Sequence, residues 1–420
     1  MDKLTLCRRH LQVRWTAIAA LLLITLGMTA PSTAQTSIFA IQNSPSPNVQ
    51  GNTLNAVAAL STSDDWAVGY QNDNNLNDSR TLTMHWDGSR WKIVPSPNPG
   101  SHCQGNSGNF LNAVAAVAPN DVWAVGFFFS CNALLKPLAL HWDGTRWAVV
   151  RTPALNTNDN AALNGIVALA SDNVYAVGYQ PSSNGAVLTL IEHWDGTAWS
   201  VMPSPNPSPT GNLLSAVTAN SPTDIWAVGN STDQATVSVQ TLALHFDGAT
   251  WKTVPTPNPL PKQFLDQNVL LSVQAVSAND VTAVGFIADA NAQRTLTLIE
   301  HWDGSKWTVA PSPNQGEARG DLNTLRGVTA VAGNDLYAAG FFETAATGGQ
   351  HTTLVEHFDG NTWSIIPSPT KGLAQQLNGV FTLPGTTNVW SVGGFSRFGI
   401  DFENGFLQLP KTLVLFSPIG

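Results

Sequence analysis

The chain has 420 residues, 43% hydrophobic and only 11% charged, with 34 Gly, 26 Pro, 15 Trp and 3 Cys. That much apolar material excludes wholesale disorder. The shortage of helix-favouring charges, beside abundant Gly, Pro, Val, Thr and Trp, points to strands joined by turns, and a net charge of −9 argues against a nucleic-acid partner, which needs a basic face.

Residues 1–34 read as a secretory signal peptide. Lys3, Arg8, Arg9 and Arg14 precede an apolar stretch from Trp15 to Met28, and Ser32-Thr33-Ala34 ends in a small residue suited to cleavage before Gln35. The stretch is shorter than the roughly 20 residues a spanning helix needs, so an uncleaved anchor is the poorer reading. The expected mature protein, 35–420, is exported (secreted, or periplasmic where there is an outer membrane), monomeric, and free of membrane spans.

Three signatures repeat through the rest. Trp-Ala-Val-Gly or a near variant begins at Trp66, Trp123, Tyr175, Trp226, Thr282, Tyr337 and Trp390, seven copies spaced 51 to 57 residues apart. His-(Trp/Phe)-Asp-Gly-x-x-Trp begins at His85, His141, His193, His245, His301 and His357. Pro-(Ser/Thr)-Pro-Asn begins at Pro45, Pro95, Pro203, Pro255 and Pro311, with degenerate forms at Pro153 and Pro367.

Each unit divides into four strand-sized runs. In the second, strand A covers Leu111 to Val117, strand B Val122 to Phe128, strand C Leu138 to Trp142 and strand D Arg146 to Arg151. Asp143-Gly144 reads as a type I′ hairpin turn between C and D. Seven four-stranded units predict an all-β, seven-bladed β-propeller. An extended solenoid is the competitor, but the counts are offset. The last unit ends with a strand C (Thr412 to Phe416), while a surplus strand D ending, Ile38 to Asn48, sits at the N-terminus. That segment is expected to complete blade seven and close the ring.

A strand with an aromatic start ending in Gly, then aromatic-Asp, Trp and a Pro-rich end, resembles the Kelch repeat. Trp390-Ser391-Val392-Gly393-Gly394 carries the Kelch double glycine, whereas the other six units keep one Gly. The resemblance implies a divergent Kelch-like propeller of the galactose-oxidase-like superfamily, without its copper site. It implies no particular function, because such propellers include enzymes and binding scaffolds.

Residues that recur in every blade are read structurally. The paired Trp should wedge between blades, the Asp cap its turn, and the His bond to backbone. Asp65, Asp121, Asp224, Asp280 and Asp335 are read as A–B turn acids, and Pro-Ser-Pro as protection of an outer edge that lacks N–H donors. A–B and C–D turns lie on one face. The variable B–C and D–A loops lie on the other, where a specific site is expected. Cys103 and Cys131 both fall on that loop face and, in an exported protein, are expected to form a disulfide.

No catalytic pattern emerges. The four Tyr (Tyr70, Tyr175, Tyr179, Tyr337) do not suit a copper-radical centre, and neither a Gly-x-Ser-x-Gly elbow nor paired metal-spacing His is present. The polar run Asp73 to Asp78 lacks the Gly and terminal acid of an EF-hand. No metal and no cofactor is expected. The candidate ligand groups are instead the polar residues after the first Leu of each strand A: Asn55, Asn112, Asn164, Ser215, Arg326 and Asn378, with Leu271 the apolar exception. Each is followed by a small residue suited to crowding near an axis. They either satisfy neighbouring backbone or hold a small polar or anionic ligand at the loop-face mouth, with Arg326 the sole charge. The favoured reading is a binding module for a protein, peptide or glycan. The rival is an extracellular hydrolase or lyase with acids in the loops.

Overall fold

The computed structural model describes residues 38–48, 51–72, 78–101, 107–155, 160–401 and 405–417. The signal-peptide reading, Cys103 and residues 73–77 of the polar run fall outside them.

Strand β1 (Ala40–Gln42) is followed by β2 (Asn52–Ser61), β3 (Asp64–Asn72), β4 (Asp78–Trp86) and β5 (Trp91–Ile93). The second repeat gives β6 (Ser107–Ala118), β7 (Asp121–Phe129), β8 (Leu135–Trp142) and β9 (Trp147–Val150). The third gives β10 (Ala162–Ala170), β11 (Asn173–Pro181), β12 (Val187–Trp194) and β13 (Trp199–Val201). Then come β14 (Gly211–Ser221), β15 (Asp224–Thr232), β16 (Val239–Phe246) and β17 (Trp251–Val254), followed by β18 (Gln267–Ser277), β19 (Asp280–Asp289), β20 (Arg294–Trp302) and β21 (Trp307–Ala310). The sixth repeat gives β22 (Leu322–Ala332), β23 (Asp335–Glu343), a short 3-10 turn at Ala345–Thr347, β24 (Thr352–Phe358) and β25 (Trp363–Ile365). The last strands are β26 (Gln375–Thr382), β27 (Val389–Asp401) and β28 (Gly405–Ser417). Within each group, strands consecutive in sequence pair antiparallel. The fourth partner of β26–β27–β28 is β1 from the other end: Ala40 pairs with Phe416, Ile41 with Leu415 and Gln42 with Val414. No helix among the described residues is long and apolar enough to cross a membrane.

The C–D connection differs from the expected I′ turn. Trp142 pairs with Trp147, leaving a four-residue loop. Gly144 takes φ 90° while Asp143 stays at negative φ and accepts from the Thr145 and Arg146 N–H groups. Asp143 is thus an Asx cap.

Aromatic rings seal most groups against the one before; the exception is the sixth, because Thr282 stands where the fifth group's ring would be. Trp147 meets Trp66 edge-on at 5.2 Å, Trp199 meets Trp123 at 5.4 Å, Trp307 meets Trp226 at 5.3 Å, and Trp91 meets Trp390 of the last group at 5.3 Å. Such rings bring large buried area and a favourable edge-on geometry. Replacing Trp147, which is buried, with Ala is expected to cost about 3–5 kcal/mol, read as a lower midpoint in urea denaturation with an unchanged slope.

Two recurring polar devices differ from expectation. The repeated His bonds a side chain rather than backbone: His85 Nε2 lies 2.8 Å from Asp64 Oδ1, with equivalent contacts from His141 to Asp121, His193 to Asn173, His245 to Asp224, His301 to Asp280 and His357 to Asp335. In the first group Asp64 therefore plays the turn-acid role assigned to Asp65. Asp65 is fully buried and accepts from Trp390 Nε1 at 2.9 Å; burial pushes its carboxyl up to about 7.

The Pro-Ser-Pro-Asn segment is a clip more than an edge guard. Asn98 Oδ1 accepts the Thr81 N–H at 2.7 Å, and Ser96 bonds the Thr81 hydroxyl. The same contacts recur at Thr189 with Asn206 and Ser204, and at Thr241 with Asn258 and Thr256. On β28, Thr412 is held by the N-terminal Pro45-Ser46: its N–H donates to Ser46 Oγ at 3.1 Å and its hydroxyl to the Pro45 carbonyl at 2.9 Å.

Candidate functional site

Each first strand carries a β-bulge against the second. The register slips between Leu54 and Ala56, and likewise around Asn112, Asn164, Ser215, Leu271, Arg326 and Asn378. Across from each bulge stands the glycine of the Trp-Ala-Val-Gly signature. A Cβ on Gly69 would sit 2.0 Å from the Thr53 carbonyl oxygen, and Gly126, Gly229, Gly285 and Gly393 are equally close to the facing strand. Only glycine admits that approach. The bulge in turn re-aims its extra residue.

The structure brings all six candidate ligand residues, and Leu271, to the wall of one cavity of about 750 Å³. Phe127, Leu213, Phe286, Thr295, Leu322, Thr324 and Phe341 complete the wall. These residues lie toward the end where first strands begin and second strands end, the end that carries the long connections, with Thr295 at the start of the third strand β20. The small residues after the bulge are needed for close packing: a Cβ on Gly379 would lie 3.0 Å from the Ala56 Cα, and one on Gly165 2.9 Å from the Ala216 Cα.

The asparagines do satisfy neighbouring backbone. Asn55 Nδ2 donates to Leu111 O at 2.8 Å, Asn112 to Leu163 O at 2.9 Å, Asn164 to Leu214 O at 2.9 Å and Asn378 to Leu54 O at 2.9 Å. Each amide thus staples its group to the next, with the last group stapled to the first. The series is interrupted at Ser215, Leu271 and Arg326. There the wall becomes apolar, with Leu213, Leu271, Phe286 and Phe341.

Arg326 is the cation of this wall. Its Nη1 donates to Asn378 Oδ1 at 3.0 Å, and the guanidinium lies 5.1 Å over the Phe341 ring. Its Nε is buried without a hydrogen-bond partner. Among the described residues no carboxylate pairs with it. Burial pushes its pKa down from the ordinary value, because the charge has lost water without gaining a counter-ion. An anion entering here would recover part of that loss.

The sequence reading overlooked the aromatic wall, although its signal was visible: Phe127, Phe286 and Phe341 each follow the signature glycine. It also overlooked three buried carboxyls, Glu192, Glu300 and Glu356, lodged on strands β12, β20 and β24 and each pushed up to about 8 by burial. None of these lines the cavity. Among the described residues no cluster of three or more His, Cys, Asp or Glu gathers to hold a metal.

Repeated four-stranded antiparallel groups, several of them joined by short parallel pairings between β4 and β6, β12 and β14, and β16 and β18, with aromatic seams between most of them and their first strands lining a common cavity, define a β-propeller. No family model matches the sequence, and no curated protein matches it. Solved structures do. YCF48 bound to D1 peptide superposes with a TM-score of 0.52 at 12% identity, covering 93% of this chain and 99% of that one. YCF48 from Cyanidioschyzon merolae gives 0.51 at 12% identity, covering 92% and 100%. A GH74 xyloglucanase from Xanthomonas campestris gives 0.50 at 11% identity, covering 88% of this chain and 55% of that one. At such identities the likeness is one of fold.

Proposed function

We propose that this chain is an exported seven-bladed β-propeller, a divergent Kelch-like array closed by β1, that binds a carboxylate-bearing peptide in the cavity at its loop end. Ring closure is supported by the pairing of β1 with β28, the Trp91–Trp390 seam and the Asn378–Leu54 staple. A Cys103–Cys131 disulfide on the loop face belongs to the same reading, and non-reducing peptide mapping would detect it.

The observation that carries the ligand reading is Arg326, a cation without a counter-ion among the described residues, in a half-apolar cavity. One guanidinium balances one negative charge, which suits a carboxylate better than a phosphate dianion. Leu213, Leu271 and Phe286 offer contact to apolar side chains, as peptide ligands require. YCF48, a propeller of similar fold, has been seen with a peptide bound. Amides, hydroxyls and a guanidinium can hold a ligand, whereas hydrolysis needs an acid and base together. The rival enzyme reading therefore draws little support from this wall.

Replacing Arg326 with Leu, the residue of the adjacent group at Leu271, should leave the melting temperature equal or higher, since a buried unpaired charge is removed. Calorimetric titration with a panel of apolar peptides bearing a free terminal carboxylate should show binding to the wild type. The variant should bind at least about tenfold more weakly, the scale of one lost charge-assisted hydrogen bond. Amidation of the peptides should cause a similar loss. Equal affinity of both proteins for every binding peptide would end the proposal.

A further inference from the structure

The doubled glycine at Gly393-Gly394 is used only in part by the site above. Gly393 faces its bulge, as the other signature glycines do. Gly394 has a different consequence. The same position in the other groups holds Tyr70, Phe127, Tyr179, Asn230, Phe286 or Phe341, five rings and one amide. At Gly394 there is no side chain, and a Cβ there would find its nearest neighbour, Lys411 O, at 3.4 Å. A second cavity of about 350 Å³ opens at this place, between β2, β23, β26 and β27.

Its wall is rich in polar groups that the fold leaves uncommitted. Thr53, Tyr70, Gln350, Gln376 and Ser396 line it, and among the described residues none of their side chains makes a hydrogen bond, although the Tyr70 ring packs edge-on against Phe110 at 5.0 Å and its hydroxyl acts electrostatically on Arg326. Elsewhere the repeated polar side chains are engaged in clips, staples and His–Asp pairs. One acid is also present: Glu343 Oε2 lies 3.3 Å from His351 Nε2, and the His351 ring stacks on Phe341 at 4.2 Å. Hydroxyls, amides and a carboxylate beside ring faces make a donor–acceptor set for a neutral polyhydroxylated molecule. The volume lies at the small end of ligand cavities, which suits one ring rather than an extended chain.

We propose that the Gly394 cavity is a second binding site, for a single neutral sugar residue, independent of the Arg326 cavity. Glu343 and the amides of Gln350 and Gln376 would take up its hydroxyls, and Gly394 makes the room. The proposal does not rest on the peptide reading, and its test separates the two.

Saturation-transfer NMR with methyl glycosides of the common hexoses and deoxyhexoses supplies that test. At least one glycoside should bind wild type and Arg326→Leu alike, and should lose its signal with Gly394→Phe, which restores the ring found at Phe127, Phe286 and Phe341. Because Gly394 is not in the left-handed region, a side chain there should not unfold the protein, and a melting curve checks this. Glu343→Gln and Gln376→Ala provide the same readout if Gly394→Phe proves unstable, each weakening the glycoside about tenfold. Failure of every glycoside to bind wild type, or retention of binding in Gly394→Phe or in both polar variants, would overturn the proposal. Loss in Arg326→Leu as well would remove its independence.

Discussion

Deletion of residues 38–48 is expected to lower stability by about 5 kcal/mol or more. The segment is far from an ordinary terminus. Phe39 is 3% exposed and meets Tyr337 edge-on at 6.3 Å, and truncating a buried aromatic alone costs about 3–5 kcal/mol. The deletion also removes the β1 pairing, frees the backbone edge of β28, and leaves Thr412 without its Ser46 and Pro45 partners. Lys411 Nζ loses the Asn48 carbonyl as well. An exposed sheet edge invites association with another chain. Denaturant titration and light scattering should therefore show a lower midpoint together with a tendency to aggregate. Phe39→Ala should reproduce most of the stability loss without exposing the edge. An unchanged midpoint in the deletion would refute closure by β1.

The second large effect is a gain. Glu192 is fully buried with both carboxylate oxygens unpartnered. It faces Ala176 across β11–β12, a register position filled by Met84, Leu140 and Leu244 in other groups. Burial raises its carboxyl from 4.5 to about 8. Below pH 4.5 the group is protonated in both folded and unfolded chains, and folding pays no ionisation penalty. Between 4.5 and about 8 the unfolded chain loses the proton while the folded one retains it, so stability falls as pH rises. Above about 8 the loss is complete. Glu192→Leu should abolish this contribution and add apolar burial, for a gain of about 3 kcal/mol or more at pH 8 and a smaller one at pH 4. Glu300 and Glu356, also pushed up to about 8, and Asp65, pushed up to about 7, would leave a residual fall in stability across the same pH range in the variant. Equal gains at pH 4 and pH 8 would show that Glu192 does not ionise on unfolding across this range.

Strand positions were legible because the repeat states each of them several times over. The cavity-lining ring was legible for a related reason: the residue after the first Leu of strand A varies, while the Leu before it is constant and the residue after it is always small. Its cause was hidden, since a bulge is a relation between two strands and appears in sequence only as the glycine facing it. The His partners were missed because Asp64, Asp121, Asn173, Asp224, Asp280 and Asp335 stand about twenty residues earlier, although each lies two before the aromatic position of strand B. The clip was missed for want of its other half. Thr81, Thr189, Thr241, Thr297 and Thr353 each precede the repeated His by four residues, and the second group breaks both halves together with Pro137 and Ala154. The buried glutamates did leave a signal: Glu192, Glu300 and Glu356 each precede the repeated His, where other groups hold Met84, Leu140 and Leu244. A carboxyl on a strand reads as solvent-facing until the neighbouring sheet is in place.

The most direct measurement is a crystal structure of the protein with the tightest carboxylate peptide from the titration panel. The proposed function predicts the carboxylate within hydrogen-bond distance of the Arg326 guanidinium, and the adjoining apolar side chain against Leu271 and Phe286. A peptide lying on the outer rim, with the Arg326 cavity filled only by solvent, would contradict it.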